Sequence, residues 1–376
     1  MNQIQVSVVF ATEPESSSYS MDDFVKVQKI DIHTHVLSDN LDFMAFARRD
    51  DFRFLNMSVW SDPDASVNRR NHELLLYQYQ ASPIDFAPVT SFPLDNWNDP
   101  DWVAHTIDFL DRAFNQGIVG VKVWKNIGME LRDADGSLVM IDNPRFDPVL
   151  DFIEKRGKVL LGHLGEPRNC WKPLDEMTTK NDRSYFAEHP QYHMYLHPQM
   201  PSYEAQMTAR DRMLDKHPNL KFLGCHLASL EWSTEAMSKF LNRYPNAVIG
   251  VAARIPHLQY LSSRSESDRQ QVLAFFDKYQ DRILYGTDLA IETGDNVLEE
   301  YWKIRKQWMM HWMYFNTQIE FPVQELDVSV TGLSLPKSIV DKIYCENAKR
   351  VFHDSWRTQL DSNSPVEQIE EKTATE

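Results

Sequence analysis

Cysteine is scarce in this chain: Cys170, Cys225 and Cys345 are the only three in 376 residues. An odd, sparse set builds no disulfide framework, and no Cys-x-x-Cys pair offers a zinc knuckle or a dithiol redox site. All three read as packing residues, in keeping with a reducing compartment. Basic charge is short as well. With 39 Lys and Arg against 55 Asp and Glu the formal net charge is −16, which argues against a broad nucleic-acid surface, because phosphate binding is driven largely by Lys and Arg. No uncharged apolar run is long enough to span a bilayer. Val6–Ala11 is apolar, but it is shorter than a signal-peptide core and has no basic flank. The expectation is a soluble, cytoplasmic protein that acts on a small molecule, with neither nucleic acid nor membrane as partner.

A Gly-rich phosphate turn is also missing. An open, doubly wound α/β sheet would carry one after its first strand; here that position holds His33-Thr34-His35. What the chain does have is a 42% hydrophobic content, ample for a large core. Short β-branched runs alternate with longer amphipathic stretches, the pattern of repeated βα units. Strands are expected at Val25–His33, Phe52–Trp60, Ile84–Phe92, Ile118–Trp124, Lys158–His163, Leu220–His226, Ala247–Ala252 and Arg282–Thr287. Helices are expected at Phe146–Arg156, Tyr203–His217 and Glu235–Tyr244, each ending at a Gly or Pro-Asn stop signal. About eight such units match one closed (β/α)₈ barrel over residues 25–360. Residues 1–24 read as a flexible extension and 361–376 as a disordered acidic tail.

Two connections are too long for simple turns, Asn126–Pro144 and Gly165–Met200, and in a barrel both lie on the catalytic face. The second contains His189, His193 and His197, whose spacing suggests a helix face. Pro190 and Pro198 oppose helical geometry at the residues before them, so the segment reads as an ordered loop over the mouth.

Side chains two apart on a strand share a side, so His33 and His35 can reach one cation from adjacent positions. Alone, His-x-His describes a surface pair equally well. Three further polar groups join it at strand ends: His163 closes VLLGH, His226 closes FLGCH, and Asp288 follows ILYGT. Packing does not explain a polar group at the same end of four strands, whereas a site at the C-terminal face of a barrel does. Lys122 ends the fourth strand, and Arg254 follows the seventh, where it can pair with a substrate carboxylate or with an acid such as Glu231. Glu166, Trp171 and His197 are further candidates for substrate contact. The aromatic run Trp302–Trp312 reads as core packing or a subunit contact, which allows a homodimer.

With these residues in view, the chain resembles the amidohydrolase superfamily from about Ile30 to Phe352. Its amidohydrolase-related branch, which includes aminocarboxymuconate-semialdehyde decarboxylase, γ-resorcylate decarboxylase and lactone hydrolases, is the nearest pattern. DIHTH, GVKVW, GHLGEP, GCHLASLEW, YGTDL and the closing ENAKRVF carry the likeness. The resemblance implies one divalent metal ion, Zn²⁺ before Mn²⁺, held by His33, His35, His163 and Asp288. His226 would stand beside it as acid/base group, and Asp288 would double as proton acceptor. A second metal enters only if Lys122 is carboxylated; otherwise its ammonium contacts substrate. Hydrolysis of a lactone, amide or ester by an activated water is the leading expectation. A non-oxidative decarboxylase of an aromatic or dienoic acid is the alternative, and it would show a flat aromatic slot with Arg254 aimed at the acid. A metal-stabilised binding protein without turnover is a third class.

Overall fold

The computed structural model describes residues 17–353, 355 and 356. Strands form at Lys29–Leu37 (β1), Phe52–Met57 (β2), Phe86–Thr90 (β3), Gly120–Val123 (β4), Val159–Gly162 (β5), Lys221–Gly224 (β6), Ala247–Gly250 (β7), Ile283–Leu284 (β8) and Leu289–Glu292 (β9). They form one parallel sheet in the order β8-β7-β6-β5-β4-β3-β2-β1-β9. β8 and β9 are two halves of one strand interrupted at residues 285–288. The first half pairs with β7 and the second with β1, and Tyr285 O accepts from Ile32 N between them. The sheet therefore returns to its own first strand, as expected of a (β/α)₈ barrel.

Alternation along the strands separates two apolar layers. Leu55, Leu161, Leu223, Val248 and Leu284 pack together inside the barrel, whereas their neighbours Phe54, Leu160, Phe222, Ile249 and Ile283 face the surrounding helices. Period-two burial on both faces is what the near-continuous apolar runs of the strands require. The barrel floor is closed by the C-terminal helical extension from Lys337 to Val351. Ala348, Phe352 and Trp356 join the interior cluster, and Asn347 Nδ2 donates to Ile283 O at 2.8 Å.

All eight expected strands are present, but most are shorter than their apolar runs. β1 is displaced, beginning at Lys29 because residues 23–27 form a turn in which Lys26 N and Val27 N bond back to Asp23 O. The helices Asp147–Lys155, Tyr203–Lys216 and Thr234–Arg243 lie where expected. Of the extension expected over residues 1–24, residues 1–16 lie outside the described residues. The remainder is docked: Phe24 is buried, and Ser20 O accepts from Trp312 Nε1 at 2.9 Å. The expected tail 361–376 lies outside the described residues. The run Trp302–Trp312 belongs to a long helix, Val297–Asn316, which buries Trp308 and Trp312 in the core and leaves Trp302 exposed. No helix among the described residues is long and apolar enough to cross a membrane.

Candidate active site

The first strand brings its two histidines to the mouth through an irregularity. Between the pairs Asp31–Phe54 and Thr34–Asn56, β1 has two residues, Ile32 and His33, where β2 has one, Leu55. One extra residue reverses the alternation. Ile30 and Ile32 face the barrel interior below it, and His33 and His35 line the cavity above it. Asp31 holds the irregular stretch. Its buried carboxylate accepts from Thr287 N at 3.0 Å, Thr287 Oγ1 at 2.6 Å and His33 N at 3.2 Å. It thereby ties the backbone beside His33 to the backbone beside Asp288. Burial pushes the Asp31 carboxyl up to about 7, against these hydrogen bonds.

His226 and Asp288 sit just past β6 and β8 on left-handed backbone. Residues His226, Leu227, Ala228 and Ser229 have φ of 72°, 53°, 54° and 58°, and Asp288 has φ of 70°. Each such non-glycine residue costs about 1 kcal/mol or more, so the surroundings must enforce the turn. Ser229 Oγ donates to Gly165 O at 2.8 Å. A Cβ on Gly224 would lie 2.5 Å from the Ala228 Cβ, which explains glycine there.

The side chains converge. Asp288 Oδ1 lies 3.1 Å from His33 Nε2 and 3.3 Å from His35 Nε2. One ligating atom from each of His33, His226 and Asp288 falls within 4.8 Å of the others. The His226 ring packs 4.6 Å from His33 and 4.3 Å from His163, centroid to centroid. His226 Nδ1 lies 3.0 Å from Ala252 O, which fixes a proton on Nδ1 and leaves Nε2 bare, buried and without a partner among the described residues. His163 Nε2 is 3.2 Å from Glu166 Oε2, and Glu166 is ion-paired with Lys125. The donor atoms grouped this closely come from His33, His226 and Asp288, with His35 beside Asp288 and His163 beside His226.

Electrostatics follow from this crowding. Burial, then the Lys122 ammonium, holds His33 well below its ordinary pKa, and burial and His163 do the same to His226. Burial opposes the Asp288 carboxylate, but the imidazoles of His33, His226 and His35 hold its pKa well below the usual range. Burial brings His163 down to about 4 although Glu166 resists. Neutral imidazoles beside an ionised carboxylate are the protonation states a divalent cation needs. Donor atoms bonded to one zinc at about 2.0–2.1 Å lie roughly 3.3 Å apart, close to the separations around Asp288. The residues fit such an ion, with one condition. Lys122 Nζ lies 3.0 Å from His33 Nε2 and 3.2 Å from Cys225 Sγ. One lone pair cannot serve both the lysine and a metal, so metal loading requires Lys122 to release His33.

The cavity over this cluster holds about 180 Å³ and is also lined by Lys122, Trp124, Lys125, Glu166, Asp182, Tyr185, Phe186 and Arg254. Arg254 is buried, donates from Nη1 to Ala253 O, and has no partner for Nε among the described residues; no ion pair with Glu231 forms. Trp171 and His197 do not line this cavity. Trp171 Nε1 bonds to Pro201 O and its ring packs on Tyr203 beside a separate cleft, while His197 Nε2 bonds to Pro190 O. Both are used by the fold of the long loop. That loop contains a helix, Lys180–Glu188, which supplies Asp182, Tyr185 and Phe186. Asp182 Oδ2 accepts from Asn169 Nδ2 at 2.7 Å and meets His257 Nε2 at 3.0 Å. Nothing in the sequence singles out Lys125, Asp182 and Tyr185, or His257 behind Asp182. The helix does carry a sequence signal: Thr179 and Asp182 form a Thr-x-x-Asp start, with Thr179 Oγ1 accepting from Asp182 N.

Comparison with known proteins agrees with this architecture. A solved 2,6-dihydroxybenzoate decarboxylase from Rhizobium is similar over 87% of this chain and 98% of its own, at 16% identity and a TM-score of 0.51. The same coverage and identity, with a TM-score of 0.52, hold for a 2,6-dihydroxybenzoate decarboxylase complexed with 2,6-dihydroxybenzoate. At such identity the likeness concerns the fold. No curated protein matches the chain. The family model described as amidohydrolase matches residues 30–353, and with the clustered His, His and Asp donors at the barrel mouth this chain belongs to the amidohydrolase family.

Proposed function

We propose that this protein is a metal-dependent, non-oxidative decarboxylase of a small hydroxyaryl acid. The observation that carries this reading is the cavity wall: aromatic rings of Trp124, Tyr185 and Phe186 beside a buried arginine whose Nε is unpartnered. A flat acid matches such a slot, and a guanidinium pairs with a carboxylate through two parallel hydrogen bonds. The hydrolase reading does not require that combination. The likeness in fold to proteins described as 2,6-dihydroxybenzoate decarboxylases supports the same choice of substrate class.

In this scheme His33, His35 and Asp288 hold one divalent cation, zinc first, with His163 beside them. When bound, the cation would polarise acidic oxygens of the substrate and stabilise negative charge developing on it. The chain's own residues do the rest. Arg254 orients the carboxylate, and the aromatic walls exclude water. His226 has its proton on Nδ1, locked to Ala252 O, so Nε2 is free to accept the phenolic proton of the substrate. As the bond between ring carbon and carboxylate breaks, its electron pair stays on the ring and CO₂ leaves. His226 Nε2 then returns the proton to that carbon. Burial lowers the basicity of His226, which opposes the first transfer and favours the return.

The donor cluster of His33, His226 and Asp288 supports a second arrangement, in which His226 is itself a ligand and Asp288 returns the proton. Incubating the zinc-supplied protein with 2,6-dihydroxybenzoate and related hydroxybenzoates tests the reaction. Release of one CO₂ per product, with a solvent deuteron on the ring in D₂O, is expected. Incorporation of ¹⁸O from water into products of a lactone or amide panel, without CO₂ release, would restore the hydrolase reading.

A further inference from the structure

The cavity above the cluster, at about 180 Å³, is smaller than the roughly 300–1,000 Å³ typical of ligand sites. It is not closed on all sides. Asn181, Ala253 and Asp288 line both this cavity and a second chamber of about 1,150 Å³. The second chamber lies between the helix Ile255–Ser263, the long helix Val297–Asn316 and a two-stranded antiparallel hairpin, Glu320–Val323 (β10) and Val328–Thr331 (β11). Its lining is mixed: Ile255, Met310, Pro322, Val323 and Val328 offer apolar surface on three sides, and Lys303, Lys306, Glu325 and Asp327 bring charge.

The hairpin is a fixed wall. Lys180 N donates to Glu325 O and Asn181 N to Glu325 Oε2, both at 2.9 Å, and Lys180 is ion-paired with Asp327. Arg269 bonds Thr331 O and Gly332 O at 2.9 and 2.7 Å from the other side. The chamber is thus held open next to the carboxylate of the donor cluster.

We infer that the substrate is an elongated acid: the hydroxyaryl head occupies the inner cavity, and an apolar chain of several carbons extends past Asp288 into the outer chamber. This rests on the decarboxylase reading for the head, while the tail rests on the shared walls and the two volumes. Small unsubstituted aryl acids would fill only the lesser part of the space. Buried methylenes favour binding at about 0.8 kcal/mol each, close to a fourfold effect per carbon at full burial.

Four probes separate head from tail: 2,6-dihydroxybenzoate and resorcinol, and the same two with a hexyl chain, 4-hexyl-2,6-dihydroxybenzoate and 5-hexylresorcinol. Calorimetric Kd values for the zinc-supplied protein should fall at least about tenfold on adding the chain, with or without the carboxylate. Val328→Asp puts a charge into the apolar part of the chamber wall and should bring the ratio of chain-bearing to chain-free Kd close to one. Absence of a chain effect in the unmodified protein, including no binding of any probe, overturns the inference. So does a chain effect that Val328→Asp leaves intact. A chain effect with no gain from the carboxylate and no CO₂ release would instead remove the reading of the head and leave that of the tail standing.

Discussion

At the scale of single residues, His226 is where the structure says most. Its tautomer is set by one hydrogen bond, to Ala252 O, and its other nitrogen is buried without a partner beside Asp288 and His33. A group with that geometry is either a proton carrier or a ligand, and the two roles separate experimentally. His226→Asn should retain the metal, measured by elemental analysis after desalting, and lose at least about a hundredfold in kcat, as removing a general acid–base group does. Metal lost together with activity would assign His226 to the coordination set. His311 offers a prediction that is independent of the metal. It is buried beside Tyr285, with Nδ1 at 3.0 Å from the Tyr285 hydroxyl, and burial brings it down to about 3. A histidine kept neutral in the fold binds a proton only when unfolded between about pH 6.5 and 3, so its contribution to stability is complete above 6.5 and declines as pH falls through that window. The decline approaches about 1.4 kcal/mol per pH unit. In urea unfolding, His311→Asn should be less stable at pH 7 yet show a shallower loss between pH 6 and 4. An unchanged slope would contradict a neutral buried His311.

At the scale of elements, the ends of strands decide the site. The Asp288 loop interrupts the eighth strand, and the turn after β6 runs through four left-handed residues. Gly224 makes room for that turn. Gly224→Ala should shift His226 and cost about 1–3 kcal/mol, as overpacking a filled site does. A crystal structure of the variant with His226 unmoved and no loss in thermal midpoint would contradict this account. The same elements show what is legible in a sequence. The eight strands could be read because apolar residues occupy both faces, and His163, His226 and Asp288 because each stands immediately after such a run. The bulge in β1 could not: Asp31-Ile32-His33-Thr34 contains no Gly or Pro, and only pairing with Phe54–Asn56 reveals the extra residue. Nor could the Asp182–His257 pair, whose members are 75 positions apart and meet only when the long loop folds over the barrel. Lys180–Glu188 is too polar to show an apolar helix face, and the loop's own internal bonds draw Trp171 and His197 away from the mouth.

At the scale of the whole molecule, closure of the barrel turns scattered positions into one site. β1 and the β8–β9 strand are 246 or more residues apart in sequence, yet Asp31 bonds Thr287 and His33 O accepts from Asp288 N at 2.9 Å. The donors are therefore placed by the same hydrogen bonds that close the sheet, and metal binding should be coupled to folding. Supplying zinc should raise the thermal midpoint and a chelator should lower it, since a ligand that binds only the folded state stabilises it. The most direct measurement is the number of metal ions per chain in protein prepared with zinc, taken together with anomalous density at the barrel mouth. One ion contacting His33, His35 and Asp288, with Lys122 turned away from His33 as an unmodified ammonium, is the predicted result. No ion there, or two ions bridged by a carboxylated Lys122, would contradict it.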